Sequence, residues 1–334
     1  MTSSTLRGVA CAVLVIVATG AKAQKTQNAR FRHLSVETGL SHEVVTTILQ
    51  DSEGLLWFGT QDGLNRYNGY DITVFSHDPQ DPTSLSNSRI WALFEDSRGN
   101  MWIGTDGGGL NRYRPTTGDF ERLVTNPSNP ADLSNDRIRV IHEDRQGKLW
   151  IGTDGGGLNQ LAPDTRRVIR FAHDPSDPAS LSDDRVRSIA EDASGQLWIG
   201  TDGGGLTRIA AETGLMTPFA HHPDDPDSLI DNGVTALYKD ADDFLWVGTV
   251  NSGLDRFDPR TERFAHVRHN PDDRTSLSSN AITAVTGDRF GSLWVGTFRG
   301  GLNRFNPDTE EFVHYQHDPE SPASLSEDRV MALH

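Results

Sequence analysis

Two residue patterns in this 334-residue chain have the composition of a reactive or binding site, and both recur. The first is an aspartate followed by three glycines, at Asp106 to Gly109, Asp154 to Gly157 and Asp202 to Gly205, each preceded by Trp-Ile-Gly-Thr. A glycine run that opens a helix and is followed by a lysine can cradle a phosphate on its backbone N–H groups. No lysine follows here, and the continuations, from Leu110, Leu158 and Leu206, have the composition of strands. A tight hairpin needing positive φ is the competing assignment.

The second pattern is a His/Asp/Pro/Ser loop, with His77, His173, His221 and His317 in phrases such as His-Asp-Pro-Ser-Asp-Pro-Ala-Ser-Leu-Ser. Imidazoles and carboxylates are metal ligands, but one histidine per repeat distributes them around a rim, too far apart for a coordination sphere of about 2 Å radius. The acidic spacing is not that of a calcium loop either. Asp and Ser in such loops bond their own backbone. The expectation is therefore no metal and no cofactor.

The elements that carry these residues follow from the repeat. The [Leu/Met]-Trp-[Phe/Ile/Val]-Gly-Thr phrase places tryptophans at 57, 102, 150, 198, 246 and 294, one interval of 45 residues and then four of 48. The unit that starts at Leu85 holds four short apolar runs, Arg-Ile-Trp-Ala-Leu-Phe-Glu-Asp, Asn-Met-Trp-Ile-Gly-Thr, Gly-Leu-Asn-Arg-Tyr and Phe-Glu-Arg-Leu-Val, separated by turn residues. Runs this short, rich in β-branched and aromatic residues, are strands, and four per unit make a propeller blade. The predicted fold is all-β: a β-propeller of four-stranded blades, six complete plus an incomplete seventh. The repeats lie near 40–84, 85–132, 133–180, 181–228, 229–276 and 277–324, with a partial unit at 325–334. A lone fourth-type strand at Arg30 to Leu40 and a first-type strand at Asp328 to Leu333 are expected at the two ends. They predict a shared seventh blade lacking two strands, a truncated sequence and a ring left open or strained, which added second and third strands would close.

Composition narrows the function. Lysine and arginine total 31 against 47 acidic residues, a net charge of -16, which repels nucleic acid and anionic membranes. Residues 1–23 carry Arg7, a short apolar run from Val9 and Ala21-Lys22-Ala23, the pattern of a cleavable signal peptide, which leaves 24–334 as the exported propeller. The single cysteine, Cys11, falls in that apolar run, so the mature chain has no thiol and no disulfide.

The phrase Glu-Asp-x-x-Gly-x-Leu-Trp-Ile-Gly-Thr-x-Gly-Gly-Gly-Leu, at Glu143 to Asn159, at Glu191 to Arg208 and in looser copies elsewhere, resembles the two-component regulator propeller repeat. The resemblance covers nearly all of the chain after residue 23. It implies the periplasmic sensor portion of a hybrid histidine kinase or diguanylate cyclase, with downstream membrane-bound signalling domains, an inner-membrane anchor and room for a dimer in the full-length receptor. No kinase or cyclase segment is present in this sequence.

In a repeat protein, function is sought where the repeat varies. The second residue of each inner strand reads Thr46, Trp91, Arg139, Arg187, Thr235, Thr283 and Met331. Just upstream, Arg89, Arg137 and Arg185 alternate with small residues, and Phe298 and Arg299 replace the Asp-Gly of the glycine turn in the sixth unit. Together with Asp106, Asp154 and Asp202 these form the candidate ligand site, because arginine with an aromatic at a channel mouth suits anionic or sugar ligands. Structural pairing of these arginines with the aspartates is the alternative. The function read from the sequence is a non-catalytic, ligand-sensing periplasmic propeller taking a small molecule or oligosaccharide, the glycan suggestion resting on the resemblance. The alternatives are an exported propeller glycosidase, which needs two carboxylates about 5 to 9.5 Å apart and for which Glu43 is a rare unit-specific candidate, and a protein-interaction scaffold. Replacing Arg139 and Arg187 by alanine is expected to remove binding at little cost in stability.

Overall fold

The computed structural model describes residues 29–334 apart from Pro127 and Asp308, so the signal-peptide segment and Cys11 lie outside the described residues. Each blade grows from one turn between its first two strands. In the first blade, the Asp51 carboxylate accepts the backbone N–H groups of Glu53 and Leu55 at 3.1 and 2.8 Å, and Gly54 takes the positive φ the turn needs. Its other oxygen accepts the indole N–H of Trp57 at 2.7 Å. The same bond recurs in every blade: Trp102 to Asp96, Trp150 to Asp144, Trp198 to Asp192, Trp246 to Asp240 and Trp294 to Asp288, at 2.8 to 3.0 Å. One aspartate thus shapes the hairpin and holds the tryptophan rotamer for packing.

Six separate four-stranded antiparallel sheets result, spanning 45–75, 90–123, 138–171, 186–219, 234–267 and 282–315, with strands in sequence order inside each. The first strands of successive blades pack side by side, so they line the centre of a ring of six blades. The apolar cores lie between blades. Trp102 packs with Leu133, Ile138, Leu149 and Val168 of the following unit, and Trp57 sits edge-on to Tyr113 at 5.3 Å. The glycine of each Trp-x-Gly-Thr phrase is required by this packing. A Cβ there would come within 2.5 to 2.9 Å of the branched side chain that begins the next inner strand, Ile90, Ile138, Val186, Val234 or Ile282, and in the last blade of Val330 in the C-terminal segment.

The ends depart from the sequence expectation. Residues 30–40 form no strand: the segment holds a 3-10 turn at Val36–Thr38, and Asp328 to Leu333 pairs in no sheet. Both segments still occupy seats of a seventh unit. The Phe31 N–H donates to the Ala323 carbonyl at 3.0 Å, as that of Phe120 does to Thr83 and that of Phe312 to Thr275, and its ring meets Tyr315 edge-on at 5.9 Å. Val330 bonds the Thr297 carbonyl through its N–H, and its side chain closes on Gly296. A lone strand has no neighbour for most of its N–H and C=O groups, so each segment docks through a few backbone bonds and its apolar side chains without becoming a strand.

Candidate functional site

The glycine turns are not anion cradles. Gly107 and Gly109 take φ of 98° and 78°, and both donate their N–H groups to the Asp136 carbonyl at the start of the next unit. Gly155 and Gly157 do the same with Asp184. The histidine loops are equally spoken for: Nδ1 of His77, His173, His221, His269 and His317 lies 2.6 to 2.7 Å from the carbonyl of Leu85, Leu181, Leu229, Leu277 and Leu325. Among the described residues no three His, Cys, Asp or Glu side chains gather as a metal site.

The variable column has a common backbone cause that the sequence did not reveal. In all six inner strands the pairing register slips between the first and third residues, so Thr46, Trp91, Arg139, Arg187, Thr235 and Thr283 are each the extra residue of a β-bulge. A bulge leaves its residue outside the ladder and re-aims the side chain. The three threonines bond the neighbouring blade: Thr46, Thr235 and Thr283 donate to the carbonyls of Ile90, Ile282 and Val330.

On blades two to four the bulge carries Trp91, Arg139 and Arg187 instead, and these join the upstream arginines in an arc. Arg89 Nη1 lies 3.1 Å and Arg137 Nε 2.8 Å from Asp106; Arg137 Nη1 lies 3.3 Å and Arg139 Nη2 2.7 Å from Asp154. Arg185 and Arg187 hold Asp202 at 2.9 and 3.0 Å, and Arg185 also reaches Asp183 at 3.3 Å. The Arg139 guanidinium lies 4.1 Å from the Trp91 ring centroid. The pairing with turn aspartates is therefore real: five guanidinium groups share four carboxylates across three blades. Nε of Arg139 and of Arg187 are buried without a hydrogen bond. Burial by itself would raise the Asp106 and Asp154 carboxyls. The bonded, charged Arg137 and Arg139 outweigh it and hold both below the ordinary carboxylate range.

Phe298 and Arg299 stand apart from this arc. Arg299 and Arg329 lie 5.7 and 5.9 Å from the half-exposed Phe298 ring, and no described ion pair or ring contact joins them to blades two to four. Arginines thus stand upstream of the bulge on blades two to four, Gly233 and Ala281 replace them on the next two, and Arg329 returns at the same position of the C-terminal segment, beside Arg299 and Phe298.

Six segments, 39–62, 84–107, 132–155, 180–203, 228–251 and 276–299, match the family described as two component regulator propeller. The chain belongs to this family. As a two-component regulator propeller it is similar to the solved extracellular domain of a protein described as a hybrid two-component system of B. thetaiotaomicron, with 25% identity and a TM-score of 0.77 over 90% of this chain and 38% of that one. A 63-residue stretch is 40% identical to histidine kinase P4 of Formosa agariphila, covering 18% of this chain and 5% of the kinase. The chain therefore spans much less than two thirds of either relative. Virginiamycin B lyase of Staphylococcus aureus shares the fold alone, at 18% identity and a TM-score of 0.58 over 83% of this chain and 85% of that one. Family and extracellular-domain likeness place the propeller among sensory modules. Among the described residues no helix is long and apolar enough to cross a membrane.

Proposed function

We propose that this propeller is the non-catalytic, ligand-sensing part of an exported receptor whose further segments carry a kinase or cyclase, and that it binds an anionic, glycan-type small molecule at the arginine arc. The observation that carries the reading is the bulge column: where it is threonine it ties blades together, and where it is Trp91, Arg139 and Arg187 it builds a cationic, aromatic-backed surface. Bidentate guanidinium groups recognise carboxylate and sulfate groups, and an aromatic face stacks a sugar ring. Periplasmic export, suggested by the N-terminal segment, supports an extracellular ligand.

The test is a thermal-shift screen of acidic and neutral oligosaccharides, repeated with Arg185→Ala/Arg187→Ala and run beside a hydrolysis assay. Acidic sugars that stabilise the parent protein and not the variant support the assignment. Equal binding by both proteins, or turnover of any sugar, refutes it.

A further inference from the structure

The face opposite the arc carries a second break in the repeat. In five blades an arginine of the third strand lies over that blade's tryptophan: Arg66 on Trp57, Arg112 on Trp102, Arg208 on Trp198, Arg256 on Trp246 and Arg304 on Trp294, at 5.5 to 5.9 Å from the ring centroids. In the third blade this position is Gln160. Its tryptophan, Trp150, faces a groove of about 460 Å³ between blades three and four.

The groove is open because the neighbouring ties are substituted as well. Between blades one and two, Glu95 accepts the N–H and hydroxyl of Ser52, both at 2.7 Å, and between two and three Glu143 clamps Ser97 in the same way. The next copy pairs Glu191 with Arg145, whose terminal nitrogens are spent on the Asp192 and Ala193 carbonyls and whose Nε stays 3.7 Å from Glu191. Farther out, Arg98 bridges from blade two to Asp164 of blade three, whereas the equivalent positions in the next gap are Gln146 and Glu212. Glu191 and Glu212 both line the groove. Burial pushes the Glu191 carboxyl up even though the Arg145 charge, 3.7 Å away, acts in the other direction.

We infer that the groove between blades three and four binds a guanidinium group from outside the chain, seated over Trp150 between Gln160 and the carboxylates of Glu191 and Glu212. The five sister blades show what this seat accepts. They fill it with a planar cation over the indole, which in two of them also reaches a carboxylate: Arg208 reaches Glu262 at 2.6 Å and Arg112 reaches Glu121 at 2.7 Å. A cation over the face of a desolvated tryptophan is attracted by the ring quadrupole, and the carboxylate sets its plane. Lys148 and Arg145 also border the groove, so a small planar cation fits there better than a multiply charged one.

The probe is arginine amide, followed through the Trp150 indole N–H resonance in isotope-labelled protein, with citrulline amide as its neutral counterpart. Arginine amide should shift that resonance saturably and citrulline amide should not. Glu212→Gln should weaken binding by about tenfold, the size of a lost charge-assisted bond. Gln160→Arg, which restores the sister residue, should fill the seat, abolish binding and raise the melting temperature. An arginine-containing pentapeptide that binds more tightly than the amide assigns the seat to a partner's side chain; the reverse order assigns it to a free small molecule. Equal shifts from both amides, or unchanged affinity in Gln160→Arg, would overturn the inference.

Discussion

Trp91 and Arg139 meet across the boundary of the second and third blades, the guanidinium carbon 4.1 Å from the indole centroid, and each is the bulge residue of its strand. The pair joins two blades at a position where Thr46, Thr235 and Thr283 use a hydroxyl to bond the next unit. Arg139 is only 11% exposed in its side chain and also holds Asp154, so it is less dispensable than an exposed ion pair. A double-mutant cycle with Trp91→Leu and Arg139→Met, read by denaturant unfolding, should give a coupling energy of about 1 kcal/mol. Zero coupling would show that the stacking contributes nothing.

The two arginines are therefore expected to differ in what their removal costs. Arg187→Ala, with a third of its side chain exposed, should cost about 0 to 1 kcal/mol. Arg139→Ala leaves Asp154 with Arg137 alone and should cost about 2 kcal/mol. Equal losses in the two variants would contradict this ranking.

The hairpin aspartates are expected to be among the most costly surface-turn positions to lose. Asp192 is 2% exposed and accepts from Ser194, Gln196 and Trp198. Asp192→Ala should destabilise by about 3 kcal/mol, since it leaves several buried donors unpaired. Calorimetry of this variant beside Asp174→Ala, in an exposed loop, separates the two roles.

The end segments are tested by Phe31, which is 6% exposed among Trp294, Leu302 and Leu325. Phe31→Ala should cost about 3 kcal/mol, and amide exchange should quicken in the sixth blade before the first. A neutral substitution would mean that the segment merely lies on the surface.

Burial lowers the pKa of His142, whose Nε2 has no hydrogen bond among the described residues. The unfolded chain takes up this proton near the usual histidine value of about 6.5 and the folded chain only at lower pH. Stability linked to His142 is thus complete above that value and lost as the pH falls toward the folded pKa. His142→Phe, the residue type of Phe94 in the preceding blade, should flatten the fall in melting temperature between neutral and mildly acidic pH.

The blades were legible in the sequence because each tryptophan, glycine turn and Asp-x-x-Gly hairpin is determined by contacts within one period, and the period repeats the message. The carboxylate role of Asp51 and its copies could be read from turn chemistry, but their bond to the indole needs the hairpin to bring the tryptophan, six positions on, back over the aspartate. The arginine column could be picked out as variable, yet neither the bulge beneath it nor the arc's sharing of Asp106 and Asp154 between blades is a local property. Residues 30–40 and 328–333 have strand composition without strand structure, since composition reports propensity and not the presence of a pairing neighbour. The groove at Trp150 has a signal in the sequence, since Gln160 is the one non-arginine at its position in the six units.

The residue that seats each inner strand against the preceding glycine, such as Ile138 or Val186, is directly followed by the bulge residue. One position therefore sets the ring's geometry while its neighbour in sequence is released from the ladder and can differ from blade to blade. Such a ring works as a set of exchangeable sockets: a single codon per blade can rewrite what the channel mouth recognises while the glycine seat beside it keeps its own contact, at the cost of whatever tie that residue made to the next blade.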